Sequence, residues 1–148
     1  MLAEKNIIVC LALILASFSG QALHAQADAA AAAGDGLYTA DQAHRGETAY
    51  KAQCTSCHGD ALDGVGPYPP LSGNDFLSKY EGQPALNLYN MIQKLMPATA
   101  PGTLTRPQAA DLLAYILSFN KFPAGKTDFP SDEDTLKKLI LPKPAPKP

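Results

Sequence analysis

Cys54-Thr55-Ser56-Cys57-His58 places two thiols and an imidazole within five residues. The pattern C-x-x-C-H is the attachment signature of c-type haem, in which two thiols add to the vinyl groups and the adjacent imidazole ligates iron. Two intervening residues let both cysteines reach neighbouring vinyl groups from one turn of chain, and a histidine directly after the second is then held under the metal. Two other chemistries use parts of this pattern. A thioredoxin-like redox pair expects a βαβ context, and this chain reads as helical throughout. A structural zinc site needs four ligands, usually in two separated pairs. If His24 lies in a cleaved leader, only His44 remains outside the motif, and it reads as a solvated residue on the first helix, with a distal haem ligand as its alternative.

Haem iron in electron carriers is usually six-coordinate, and a methionine opposite the histidine raises the potential. Beyond the initiator, the chain offers Met91 and Met96. Met91 falls inside a helical pattern on its apolar face, where methionine usually fills core space. Met96 comes at the end of that pattern, before Pro97, which biases it toward an extended conformation. Pro101-Gly102 then opens a loop. An extended residue can turn its sulfur toward a metal, so Met96 is the expected sixth ligand; Met91 and a non-methionine site are the alternatives.

Elements must position these groups. Thr39 and Gln42 have the spacing of a capping box, and Ala43, Gly46, Ala49 and Tyr50 follow on one face, predicting a helix over 40–53. A second helix is expected over 84–95, with Leu88, Met91, Ile92 and Leu95 on one side. The third runs over 105–120, where Thr105 and Gln108 repeat the capping spacing, Pro107 sits in the first turn, and Ala109, Leu112, Leu113, Ile116 and Phe119 form the stripe. A short fourth helix is expected over 131–140. Residues 59–82 are crowded with glycine and proline and show no period, and so long a loop is best explained by its wrapping a ligand.

The ends read differently. Lys5 leads into a 12-residue apolar run, residues 7–18, followed by small residues through Ala27. This is the pattern of a secretory signal peptide over 1–27, cleaved after Ala25 or Ala27, and the run is too short for a permanent membrane span of about 20 residues. Cleavage removes Cys10 and leaves Cys54 and Cys57, so no disulfide framework is possible. Residues 28–38 read as a flexible lead-in, 39–125 as the domain, 126–141 as an extension carrying the short helix, and 142–148 as a Pro/Lys-rich tail in polyproline II or disorder. With 148 residues, 46% apolar, 18% charged and a net charge of −2, the chain has room for one domain and no basic surface for nucleic acid.

Together with the C-x-x-C-H motif, several segments carry a resemblance: Gly59-Asp60, Gly66-Pro67-Tyr68-Pro69-Pro70-Leu71-Ser72-Gly73, Met96-Pro97 with Pro101-Gly102-Thr103-Leu104, the strip 110–117, and Phe122-Pro123-Ala124-Gly125. Over 39–125 the chain resembles the class I cytochromes c, most of all the monohaem cytochromes that accompany periplasmic quinoprotein dehydrogenases. The resemblance implies an all-α fold of three to four helices wrapped around one covalent haem c. It implies that the first and last core helices cross closely, with Gly46 and Tyr50 meeting Leu112 and Tyr115. It also implies that the Pro69 carbonyl accepts a hydrogen bond from His58. Related chains often carry a tryptophan near the haem propionates, where this chain, lacking tryptophan, offers Tyr80.

The expectation is a periplasmic electron carrier and not an enzyme, holding haem through Cys54, Cys57, His58 and Met96. Leu71, Phe76, Leu95 and Leu104 would line the macrocycle. A periplasmic dehydrogenase would donate electrons, and a terminal oxidase or another cytochrome would accept them. The alternative is a haem enzyme or gas sensor with a displaceable sixth ligand.

Overall fold

The structure, a computed structural model, describes residues 36–143; the expected signal peptide and most of the Pro/Lys tail lie outside them. Among the described residues six helical segments follow in order: α1 (Ala40–Gln53), α2 (Thr55–His58), α3 (Asn74–Leu77), α4 (Ala85–Leu95), α5 (Arg106–Phe119) and α6 (Glu133–Lys138). Strand pairing among the described residues is limited to one isolated bridge between Pro84 and Ile140. The fold is therefore all-α, and the four longer helices are those expected from periodicity. The two four-residue segments, α2 and α3, are too short for a 3.6-residue period to register in the sequence.

Capping explains the helix starts. Thr105 and Gln108 form the complete reciprocal box at the head of α5. At α1 only half of the expected box exists: the Thr39 hydroxyl accepts from the Gln42 amide at 3.1 Å. The Gln42 side chain turns the other way, donating to the Phe129 carbonyl at 3.1 Å and accepting from the Phe129 amide. Buried at 2% exposure, Gln42 is better satisfied by two backbone groups of a distant segment than by its own helix end.

The most extensive helix packing is between α1 and α5. It depends on the missing side chain of Gly46, because a Cβ there would lie 1.9 Å from the Asp111 carbonyl oxygen and 2.8 Å from the Tyr115 Cβ. Tyr50 and Tyr115 stack obliquely with ring centroids 5.2 Å apart, and Leu112 is buried. Arg45 adds a forked ion pair to Asp111, both bonds 3.1 Å, and reaches Asp128 at 2.8 Å.

Segments outside the expected 39–125 domain share this core. Leu37 and Tyr38, read from sequence as the end of a flexible lead-in, are buried, and the Tyr38 hydroxyl donates to the Phe122 carbonyl at 2.6 Å. Their backbone also pairs with residues 123 and 125. An alanine-rich neighbourhood concealed two large apolar residues that must be covered. On the C-terminal side Phe129, Leu136 and Leu141 are buried, and the strap clasps the start of α4 through Ala85 N–H to Leu139 O (2.7 Å) and Leu141 N–H to Gln83 O (3.0 Å). No helix among the described residues is long and apolar enough to cross a membrane.

Candidate functional site

α1 runs almost directly into the C-x-x-C-H motif. The Cys54 amide still donates to the Tyr50 carbonyl at 2.8 Å, and the amides of Cys57 and His58 both donate back to the Cys54 carbonyl. Residues 54–58 thus form one further helical turn, which puts both thiols and the imidazole on neighbouring positions of a single rigid unit. Gly59 ends the turn at φ 76°, and a side chain there would collide with the Asp63 carboxylate. The buried Tyr50 hydroxyl donates to the Gly59 carbonyl at 2.8 Å, fixing where the chain leaves the turn.

The loop then folds back onto the motif. Gly64 N–H donates to His58 O at 2.9 Å and Val65 N–H to Cys57 O at 3.0 Å. Leu62, fully buried, is held at φ 54°, a strained conformation for a residue with a Cβ. Its carbonyl accepts from Leu71 N–H (2.8 Å) and Ser72 Oγ (3.0 Å). These bonds bring Pro69 over His58, and the imidazole Nδ1 lies 2.9 Å from the Pro69 carbonyl oxygen. A carbonyl can only accept, so Nδ1 carries the proton and the neutral ring keeps its lone pair on Nε2. That is the tautomer a metal-binding histidine requires.

Both motif cysteines are free and half-buried. Burial, with a smaller contribution from Cys57, pushes the Cys54 thiol up to about 11. The thioredoxin-like reading expects a βαβ context, and the motif instead follows α1 in an all-α fold, which removes that reading.

Met96 stands where expected, closing α4 in an extended conformation (φ −116°, ψ 153°) and half-buried. The C-terminal half of α4 is tied to the start of α5 by Tyr89 Oη to the Arg106 carbonyl (3.1 Å) and Gln93 Nε2 to the Leu104 carbonyl (3.4 Å). Met91 departs from its expected role as core filler. It is 41% exposed, and the buried face of α4 is instead Ala85, Leu88, Tyr89 and Ile92. Tyr89 falls on the face centred on Ala85, Leu88 and Ile92, whereas Met91 and Leu95 lie one turn apart on the flank. Of the expected lining residues Phe76 and Leu104 are buried, Leu71 is half-buried and Leu95 is 52% exposed. His44 is exposed, as expected for a solvated residue.

These residues fit a haem. Val65, Tyr68, Met91 and Leu95 are four of the five large apolar side chains most exposed among the described residues, and all four stand in the segments that carry His58 and Met96. Uncovered apolar side chains in the same segments as two thiols, an imidazole with its lone pair on Nε2 and a thioether suit a flat apolar macrocycle with iron at its centre. When bound, haem supplies a one-electron couple.

Sequence reasoning missed Asn120. It is buried, yet its amide is fully used: Oδ1 accepts from Gly73 N–H (3.1 Å), and Nδ2 donates to the carbonyls of Leu71 (2.9 Å) and Ile116 (2.8 Å). The available signal was its position four residues after Ile116, which makes it a polar residue on an apolar stripe.

An all-α domain of this kind, with a C-x-x-C-H turn packed against crossed first and last core helices, is a class I c-type cytochrome. The family model described as cytochrome c oxidase, cbb3-type, subunit III, matches residues 41–116, and the chain belongs to that family. It therefore carries covalently bound haem c and serves haem-based electron transfer with redox partners. Among curated proteins no significant match was found. Among solved structures, the sulfane dehydrogenase SoxCD from Paracoccus pantotrophus is similar over 75% of this chain, at 18% identity and a TM-score of 0.47. The match spans 63% of that structure's chain.

Proposed function

We propose that this protein is an exported, periplasmic one-electron carrier whose haem is bound through Cys54 and Cys57, with His58 Nε2 and Met96 Sδ as the axial ligands of iron. Each thiol adds across one vinyl group, sulfur to one carbon and hydrogen to its neighbour, so attachment needs no net oxidant. The observation that carries the ligand assignment is the 2.9 Å contact between His58 Nδ1 and the Pro69 carbonyl. It fixes the ring in the ligating tautomer and makes the imidazole a better donor to iron. The extended Met96 at the end of α4 supports the sixth ligand.

The donor in this reading is a periplasmic dehydrogenase of the quinoprotein type, and the acceptor is a terminal oxidase or another cytochrome. Its support is the resemblance of Met96 to Leu104 and Phe122 to Gly125. A net charge of −2 gives weak long-range steering, so docking rests on a small apolar patch around the exposed haem edge. Stopped-flow reduction by a purified quinoprotein dehydrogenase tests this. Transfer should be fast, mildly dependent on salt and little changed by deleting residues 142–148. A steep salt dependence overturns the docking model, and no transfer overturns the donor.

A further inference from the structure

We infer that Asn120 is a positioning residue for the haem iron's histidine ligand, acting through the loop that supplies the Pro69 carbonyl. The inference rests on the assignment of His58 as that ligand. The loop of residues 59–73 leaves the motif, presents Pro69 to His58 and must then be held so that the Pro69 carbonyl stays in place. Pro67, Tyr68, Pro69 and Pro70 are all exposed; their side chains contribute little packing, and the stretch is held by its backbone lying against Gly64, which has no Cβ to obstruct it, and by hydrogen bonds on either side. On the side nearer the motif are the bonds from Gly64 and Val65 to the motif carbonyls. On the far side Leu71 N–H and Ser72 Oγ bond the Leu62 carbonyl, and the Asn120 amide adds a tie to the helix frame by taking both the carbonyl of Leu71 and the N–H of Gly73, pairing with the backbone as a neighbouring strand would.

Asn120 can do this because its third bond, Nδ2 to the Ile116 carbonyl at 2.8 Å, locks the side chain against the end of α5. That helix is the one seated on α1 at Gly46, and α1 leads into the Cys54–His58 turn. Histidine and proline are thus held from two ends of one crossed-helix frame: His58 through α1, and Pro69 through α5, Asn120 and Leu71. The chemistry of asparagine suits the task, since one amide supplies an acceptor and two donors at a fixed angle. Alanine would leave the Leu71 carbonyl and the Gly73 amide without these partners.

A hydrogen bond from Nδ1 to a carbonyl makes the imidazole more basic and favours ferric iron. Loosening the loop should weaken that bond and raise the reduction potential. The experiment uses holoprotein with Asn120→Ala, with the milder Asn120→Ser, which keeps a hydroxyl, and with Ile116→Val as a control that removes core packing alone. The readouts are the reduction potential and solvent exchange of the His58 Nδ1 proton by NMR. In the wild type, the spectrum of iron-bound His58 with a slowly exchanging Nδ1 proton is expected, and its absence overturns both the ligand assignment and this inference. With that signal present, Asn120→Ala should speed the exchange about tenfold or more. It should also shift the redox equilibrium toward ferrous by up to about tenfold, equivalent to about 59 mV for one electron, with Asn120→Ser between it and the wild type. If both Asn120 variants lose stability but match Ile116→Val in potential and exchange, Asn120 only holds the fold and the inference fails.

Discussion

The Nδ1 of His58 donates to the carbonyl oxygen of Pro69, 11 residues further along the chain, at 2.9 Å. The bond joins the last residue of the helical turn that carries the thiols to an exposed proline loop, so the proposed attachment and ligation groups share one turn whose ring orientation the loop sets. His58→Ala or Cys57→Ala should therefore abolish stable holoprotein, because both functions sit on a single turn of chain. Haem staining after denaturing electrophoresis checks this. Normal covalent haem in both variants would rule out the site.

Met96 and Met91 separate cleanly. Met96→Ala should lower the reduction potential, remove the ferric iron–methionine absorption band and let exogenous ligands bind. Met91→Ala should leave that band intact. Met91 belongs to the apolar surface that suits the macrocycle, so its truncation should lower holoprotein stability without touching the band. Loss of the band in the Met91 variant, with retention in the Met96 variant, would exchange their roles.

Gly46 is a stability position with no chemical role. Since a Cβ there would lie 1.9 Å from the backbone oxygen of Asp111, Gly46→Ala must push α1 and α5 apart, at about 3 kcal/mol or more. A denaturant midpoint equal to that of wild type would mean that the crossing is looser than this contact requires.

Much of this was legible because two periodic signals are local. The stripe of α5 and the Thr105–Gln108 box are written within 15 residues, 105–119, and C-x-x-C-H within five. What escaped depends on distant partners. Gln42 has the spacing of a capping residue, but 87 positions away Phe129 offers two backbone groups, and local spacing cannot register that competition. Met91 and Tyr89 both fit an apolar face of α4, and which one turns inward depends on where α5 and the strap lie. Tyr89 wins, its hydroxyl reaching the Arg106 carbonyl. Asn120 looked like a helix end because its partners, Leu71 and Gly73, lie in the loop without a period.

The C-terminal strap should respond to acid. Thr39 Oγ1 and then Arg45 hold the Asp128 carboxyl below its usual range. Thr135 does the same for Asp132 at the head of α6. A carboxylate with a depressed folded-state pKa contributes stability that is present above its unfolded value and is lost as pH falls through the folded one. Protection of the Phe129 amide should therefore drop as pH falls below about 4, and Asp128→Asn should show the lower protection already at neutral pH. Asp128 is half exposed, so the whole effect should stay within about 1 kcal/mol. Equal protection in wild type and variant at pH 7 would exclude the ion pair as a tether.

Lys121 is, with Leu62, one of two non-glycine residues with positive φ among the described residues, at 68°, directly after the Asn120 cap of α5. This is the position where helices commonly end on a left-handed glycine, and a Cβ there costs about 1 to 2 kcal/mol. The strain is held in place by the Lys121 amide donating to the Ser118 carbonyl (2.9 Å) and the Phe122 amide to the Leu117 carbonyl (3.1 Å). Its side chain is exposed, so little packing is lost by removing it. Lys121→Gly should therefore stabilise the protein, by about 0.5 to 1 kcal/mol once the larger unfolded-state entropy of glycine is deducted. The same change at Leu62, whose φ is 54°, should destabilise, because that side chain is fully buried and its lost burial outweighs the relieved strain. Thermal melts of the two variants should thus move in opposite directions, and a fall in both would show that the left-handed turn after α5 carries no strain to relieve.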